Sequence, residues 1–143
     1  MNDEQKRALQ EKLLELELLR NQAQGFQEQL TMVLESLSEL TTTKVALDEM
    51  NAIDKGVLVP LGPDVYVRAN VSDRKNVLVH VGANIVMRKS TKEGQKILQG
   101  HLDRLEKNRS TIENNLKKIS QAMEMLQKDI QSMATAIKAD EQV

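Results

Sequence analysis

The feature that most limits what this chain can become is a seven-residue spacing of apolar side chains along both of its flanks. In the first third, one series is Leu9, Leu16, Ala23, Leu30 and Leu37, and the other is Leu19, Phe26, Val33, Leu40 and Leu47. The two series are offset by three, so they share one side of an α-helix and form the a/d seam of a coiled coil. Lys12 and Lys44 are the only charged residues on that seam. In the last third, Leu98, Leu102, Leu105, Arg109, Ile112, Leu116, Ile119, Met123, Leu126, Ile130, Met133 and Ile137 alternate four and three apart, and Arg109 alone breaks the apolar run.

Local signals bound these helices. The first is expected over residues 3–52, where Asn2 and Asp3 can cap the start and Gly56 suits the position past the end. The second is expected over residues 90–139, followed by a short tail at 140–143. Ser90-Thr91-Lys92-Glu93 reads as a capping box, in which the Ser90 hydroxyl and the Glu93 carboxylate satisfy the first free amides. Gly94 in the first turn is a mild cost to the helix. Each helix has roughly 48 residues and is on the order of 70 Å long at 1.5 Å per residue. Matching lengths and matching seams predict that the two fold back on each other as an antiparallel pair. Pairing of each helix with other chains is the alternative that the spacing leaves open.

The core has to be made without aromatic rings. Phe26 and Tyr66 are the only two among 143 residues. Leu, Ile, Val and Met must therefore supply the buried area that aromatic side chains usually provide. A chain of this length makes one domain, and its Leu, Lys, Glu, Gln and Ala content is that of long helices.

The connector, residues 56–89, is too long for a simple helical hairpin and must have structure of its own. It contains one β-type phrase twice, VLVPLGPDVYVR at 57–68 and VLVHVGANIVMR at 77–88. Val57, Val59, Leu61, Val65 and Val67 alternate with Leu58, Pro60, Tyr66 and Arg68, a period of two interrupted at Gly62-Pro63-Asp64. Val77, Val79, Val81, Ile85 and Met87 repeat it around Gly82-Ala83-Asn84. Each copy reads as a β-hairpin, with Gly62 and Gly82 expected to supply turn angles that other residues resist. Residues 72–76 make the polar turn between the copies. Isolated hairpins are marginal in water, and these leave a valine face and unpaired edges. An obligate oligomer follows, with hairpins of several chains closing a shared barrel around the valine face.

Several function classes are excluded. With 20 basic and 21 acidic residues the net charge is −1, and with so few aromatics neither a field nor a stacking surface for nucleic acid exists. There is no cysteine for disulfide or thiolate chemistry. The first ten residues lack the apolar core of a signal peptide, and no apolar run approaches a membrane span. These features lead us to expect a cytoplasmic protein. His80 and His101 have no ligand spacing around them and are expected at a surface or interface rather than on a metal. No phosphate-binding loop pattern occurs, and a thin coiled coil offers no water-poor pocket for acid–base work. No enzymatic activity and no cofactor are expected.

The order of parts, long helix, two consecutive hairpins, long helix, resembles the α class of prefoldin subunits over essentially the whole chain. The most specific stretch lies between Val57 and Ser90: L-V-P-L-G at 58–62, Y-V at 66–67, V-L-V-x-V-G at 77–82, and R-K-S-T-K-E leading into the second helix. The β class has a single hairpin, so the duplication points to the α class, as in archaeal α subunits and the eukaryotic subunit five. Members of the family often have alanine where this chain has Gly94, and aspartate or serine where it has His80. The resemblance implies an α+β fold, a long antiparallel two-helix coiled coil whose two central hairpins join a multi-subunit β-barrel platform.

The resemblance further implies a hexamer of two α and four β subunits. Such hexamers capture unfolded polypeptides without ATP, at coiled-coil tips, and deliver them to a group II chaperonin. On this chain the implied client residues are Leu9, Leu13, Leu14, Leu16, Leu18 and Leu19 near the start, with Met125, Ile130, Met133 and Ile137 near the end. Leu13, Leu14, Leu18 and Met125 exceed what the seam needs, and flexible Leu and Met surfaces can repack against varied partners. Thickening the helix pair or contacting a neighbouring subunit are other uses of the same leucines. A structural scaffold and a self-assembling, filament-forming α-like relative are the competing functions.

Overall fold

The fold is given by a computed structural model that describes residues 2–52 and 56–142. Helix α1 spans Asp3–Glu49 and continues as a single 3-10 turn, Met50–Ala52. Strands β1 (Val57–Gly62), β2 (Val65–Ala69), β3 (Asn76–Gly82) and β4 (Ile85–Ser90) follow, and helix α2 runs Thr91–Glu141. Helix α2 thus extends two residues into the segment expected as a tail, whose last residue, Val143, lies outside the described residues. The chain divides into two compact units. One holds Met1–Leu34 with Lys107–Val143, and the other holds Glu35–Glu106.

In the first unit the two helices pair antiparallel along the expected seam. Leu16 on α1 and Ile112, Ile119 and Leu126 on α2 are buried, and Leu9, Leu19, Phe26, Leu30, Met123 and Ile130 are half-buried. The residues between them on each helix are solvated, as a 3.6-residue repeat requires. The charged interruptions of the seam in this unit lie within ion-pair distance of an acidic side chain. Lys12 reaches across to Asp129, Nζ to Oδ2 at 3.5 Å, and Arg109 lies 3.6 Å from Glu113 one turn along its own helix. Long basic side chains can keep their stems on the seam and carry the charge to its rim.

In the second unit Leu37 is buried and Leu40, Leu47, Leu98, Leu102 and Leu105 are half-buried. The seam lysine Lys44 donates to Gln99 Oε1, and Gln95 donates to Asp48 at 2.8 Å. Residues late in α1 therefore meet residues early in α2. Thr41, Thr42 and Thr43, a β-branched run that weakens a helix, each donate a hydroxyl back to the carbonyl four residues earlier.

The connector forms two separate two-stranded antiparallel sheets, β1–β2 and β3–β4. Their registers repeat with the sequence. Val57 faces Ala69, Val59 faces Val67 and Gly62 faces Val65 in the first, and Val77 faces Lys89, Val79 faces Met87 and Gly82 faces Ile85 in the second. Each has an irregularity at the corresponding place, around Leu61 and around Val81.

The turns differ, and here one expectation is corrected. Gly82 has a positive φ of 111°, followed by Ala83 at 49° and Asn84 at 59°, whereas Gly62 is not among the residues with positive φ. Pro63 is the physical reason. Its ring fixes its own φ and drives the preceding residue to extended angles, so the left-handed requirement passes to Asp64, at 62°. Gly56 also does something other than stop a helix. A Cβ there would lie 3.0 Å from the Ala69 carbonyl oxygen and 3.0 Å from Asn70 Oδ1.

Candidate functional site

The helix seam sorts the expected client residues of the first unit into two groups. Leu16 is buried, and Leu9, Leu19, Ile130, Met133 and Ile137 are half-buried, so all six belong to the seam while the helices are paired. Leu13, Leu14, Leu18 and Met125 are exposed, with Leu14 at 62%, Leu18 at 63% and Met125 at 69%. Leu14 and Leu18 are one turn apart and form a single outward stripe on α1. Met125 lies one turn before Asp129, the partner of Lys12. Met32, which the sequence argument did not single out, is exposed to a similar degree. These side chains stand on α1 and α2 and are exposed, an arrangement suited to contact with another apolar chain.

The second unit holds the expected assembly residues, and they do not share one environment. Val77 and Val79 on β3 are turned onto the bases of the chain's own helices. A Cβ added at Gly94, which is buried in the first turn of α2, would lie 2.9 Å from Val77 Cγ2, 3.6 Å from Leu47 Cδ2 and 3.7 Å from Val79 Cγ2. Val77 and Val79 therefore also pack within the chain, where each stays half-buried. The absent side chain of Gly94 is what lets β3 come this close. Val57 is half-buried, and Val59, Leu61, Val65, Val67, Val81, Ile85 and Met87 are exposed.

Beside β3 lies a groove of about 480 Å³ lined by Leu40, Leu47, Leu78, Leu98, His80 and His101 among others. The two histidines thus border an apolar groove. Among the described residues no group of three or more His, Cys, Asp or Glu is placed to hold a metal ion.

A second anchor ties the hairpins to α2. Thr91, buried at the helix start, donates its hydroxyl to the Arg74 carbonyl at 2.9 Å and its amide to the Lys75 carbonyl at 2.8 Å. The capping box forms as expected, the Glu93 amide donating to Ser90 Oγ at 3.2 Å and the Ser90 amide to Glu93 Oε2 at 3.4 Å. Asp73 organises the turn that Thr91 grips. It accepts from the Lys75 amide at 3.0 Å, the Asn76 amide and side chain at 3.2 Å each, and the Arg88 guanidinium at 2.9 Å. The hydrogen bond from the Asn76 side chain, then that from the Lys75 amide, hold its carboxyl below the usual value of 3.8, with the Asn76 amide and Arg88 acting in the same direction. The Asp73 signal was present in the sequence as the aspartate opening a polar turn. The roles of Thr91 and Gly94 were not, since both depend on which strand face the helix base receives.

Comparison with known proteins places this geometry. The profile of a family described as prefoldin subunit matches residues 19–136. The prefoldin subunit alpha of Methanococcus vannielii is 25% identical over 142 residues, spanning 99% of this chain and 94% of that protein. Among solved structures, a chain of filamentous PFD from Methanocaldococcus jannaschii superimposes with a TM-score of 0.69 at 22% identity, covering 78% of this chain and 93% of its own. The prefoldin beta subunit from Thermococcus strain KS-1 superimposes with a TM-score of 0.61 at 22% identity, covering 87% and 90%. At that identity the two structures bear on the fold: two long helices with small antiparallel hairpins between them.

Proposed function

Because this chain belongs to the prefoldin subunit family, we propose that it is the α-type subunit of an ATP-independent holdase. It captures unfolded polypeptides through the exposed side chains of its first unit, Leu13, Leu14, Leu18 and Met125. It assembles through its hairpins with single-hairpin β subunits, as two α and four β, and passes its cargo to a group II chaperonin in the cytoplasm. It catalyses no reaction and takes no cofactor.

The observation that carries this reading is the outward stripe of Leu14 and Leu18. The seam beneath it is complete without them. Burying a leucine is worth about 1.5–3 kcal/mol, so a few such contacts with a non-native chain give a useful but reversible grip. Leucine and methionine side chains adapt to clients of many shapes because they are flexible and impose little direction. Among the described residues no helix is long and apolar enough to cross a membrane, so the stripe is not part of a membrane-spanning segment.

The test is suppression of aggregation of a chemically denatured client by the assembled complex, without nucleotide. Removing the first twenty residues, or replacing Leu13, Leu14 and Leu18 with serine, abolishes protection while the complex keeps its subunit stoichiometry. Full protection by a correctly assembled serine variant refutes client capture at this stripe.

A further inference from the structure

The chain has seven methionines and no cysteine, so the thioether is the only sulfur that an oxidant meets. The fold sorts the described methionines by access; Met1 lies outside the described residues. In the first unit Met125 is 69% exposed and Met32 66%, whereas Met123 and Met133 are half-buried on the seam. Met125 differs from Met32 in what stands at its level. The Lys12–Asp129 ion pair sets the register of the antiparallel helices. One turn on along α1 and one turn back along α2, Leu16 and Met125 come level. Met125 therefore sits between the levels of the exposed Leu14 and Leu18, about 3 Å along the axis from each. It is also off the seam, where its neighbour Leu126 is the buried residue. A change of chemistry at Met125 alters the exposed surface and leaves the helix pair intact. The same change at Met123 would put a polar oxygen into the seam.

We propose that Met125 is an oxidation site whose sulfoxide form weakens client capture. The proposal rests on the reading of Leu13, Leu14, Leu18 and Met125 as the client surface, and it adds a chemical control of that surface. The oxidant is a hydroperoxide, with hydrogen peroxide the simplest. A lone pair of the Met125 thioether attacks one peroxide oxygen, so that an S–O bond forms as the O–O bond breaks. The transferred oxygen gives up its proton to the departing one, which leaves as water. Sulfur is oxidised by two electrons and the peroxide is reduced by two. The product exchanges a flexible apolar side chain for a polar one, and burying its oxygen against an apolar client without a hydrogen-bond donor is costly. The change is reversible, because separate reductases return each sulfoxide epimer to the thioether. Capture is thereby adjusted without unfolding the subunit.

The experiment treats the assembled complex with graded hydrogen peroxide, removes the peroxide, and then adds a chemically denatured client. Peptide mass mapping reads which methionines gained oxygen, and client aggregation without nucleotide reads protection. Each complex is scored against its own untreated protection. Met125 and Met32 should oxidise roughly fivefold or more faster than Met123 and Met133. Wild-type protection should fall roughly threefold or more as Met125 converts, with unchanged subunit stoichiometry and helical signal, and should return on treatment with the two sulfoxide reductases. After the same peroxide treatment Met125→Leu should retain its own untreated level, whereas Met32→Leu should lose protection as the wild type does. Met125→Gln, a polar stand-in, should protect less than the wild type with no peroxide present. Oxidation of Met125 no faster than Met123, undiminished protection once Met125 has converted, or an equal loss in Met125→Leu overturns the proposal. An untreated wild-type complex that gives no protection refutes the client reading and the proposal with it. One that protects before and equally after Met125 converts refutes the proposal alone.

Discussion

Replacing Gly94 with alanine probes the contact that seats the second hairpin on the helices. A Cβ at this position would lie 2.9 Å from Val77 Cγ2, about 0.6 Å inside the near edge of the favourable carbon–carbon separation. Val77 is β-branched and has little rotamer freedom to retreat into, so the strand itself must shift. Overpacking of this kind costs about 1–3 kcal/mol. Alanine returns up to about 1 kcal/mol through helix propensity, so the net effect is a destabilisation of about 0–2 kcal/mol. Gly100 on the same helix is the internal control, because a Cβ there meets nothing within 4 Å. Gly100→Ala should therefore stabilise by about 1 kcal/mol, and the two variants should differ by about 1–3 kcal/mol. Urea unfolding followed by the helical signal, at one fixed subunit concentration, measures both. Equal stabilisation by the two substitutions, within about 0.3 kcal/mol, would refute the close approach of β3 to α2.

Three other outcomes follow from particular residues. Leu126→Ala removes a buried seam side chain and should cost about 2–5 kcal/mol, whereas Met125→Ala, one residue away and exposed, should stay within about 0.5 kcal/mol. Chemical denaturation of the pair checks the register of the helices, and a larger loss at Met125 would contradict it. Asp73 has its folded pKa lowered below 3.8, so its contribution to stability is fully present above 3.8 and is lost as pH falls through the lower folded value. The stability gap between wild type and Asp73→Asn should accordingly shrink in acid below 3.8, and a gap that widens there contradicts the assignment. Ala83 has a φ of 49°, so Ala83→Gly should stabilise the second hairpin by up to about 1 kcal/mol, seen as slower amide exchange at Val81 and Val86.

What could be read from the sequence was whatever follows from a period. Every residue of the two expected seams, from Leu9 to Leu47 and from Leu98 to Ile137, is buried or half-buried, including Lys12, Lys44 and Arg109. Heptad spacing fixes the buried side of a helix whatever lies against it. The hairpins and their repeated register were legible for the same reason. Alternation does not say which strand face is covered when both are apolar. Valine on one side and Leu58, Tyr66, Leu78 and Val86 on the other gave no contrast, and the answer depended on Gly94, read only as a helix fault. Pro63 likewise moved the left-handed angle from Gly62 to Asp64, a local competition that composition does not reveal.

The two-sided use of the repeated phrase can be tested on adjacent residues of one strand. Amide exchange over residues 91–98 in Val79→Ser and in Leu78→Ser compares the face resting on the helix base with the face turned outward. The account predicts faster exchange in the Val79 variant and wild-type rates in the Leu78 variant. Equal acceleration in both, or acceleration in Leu78→Ser alone, would contradict it.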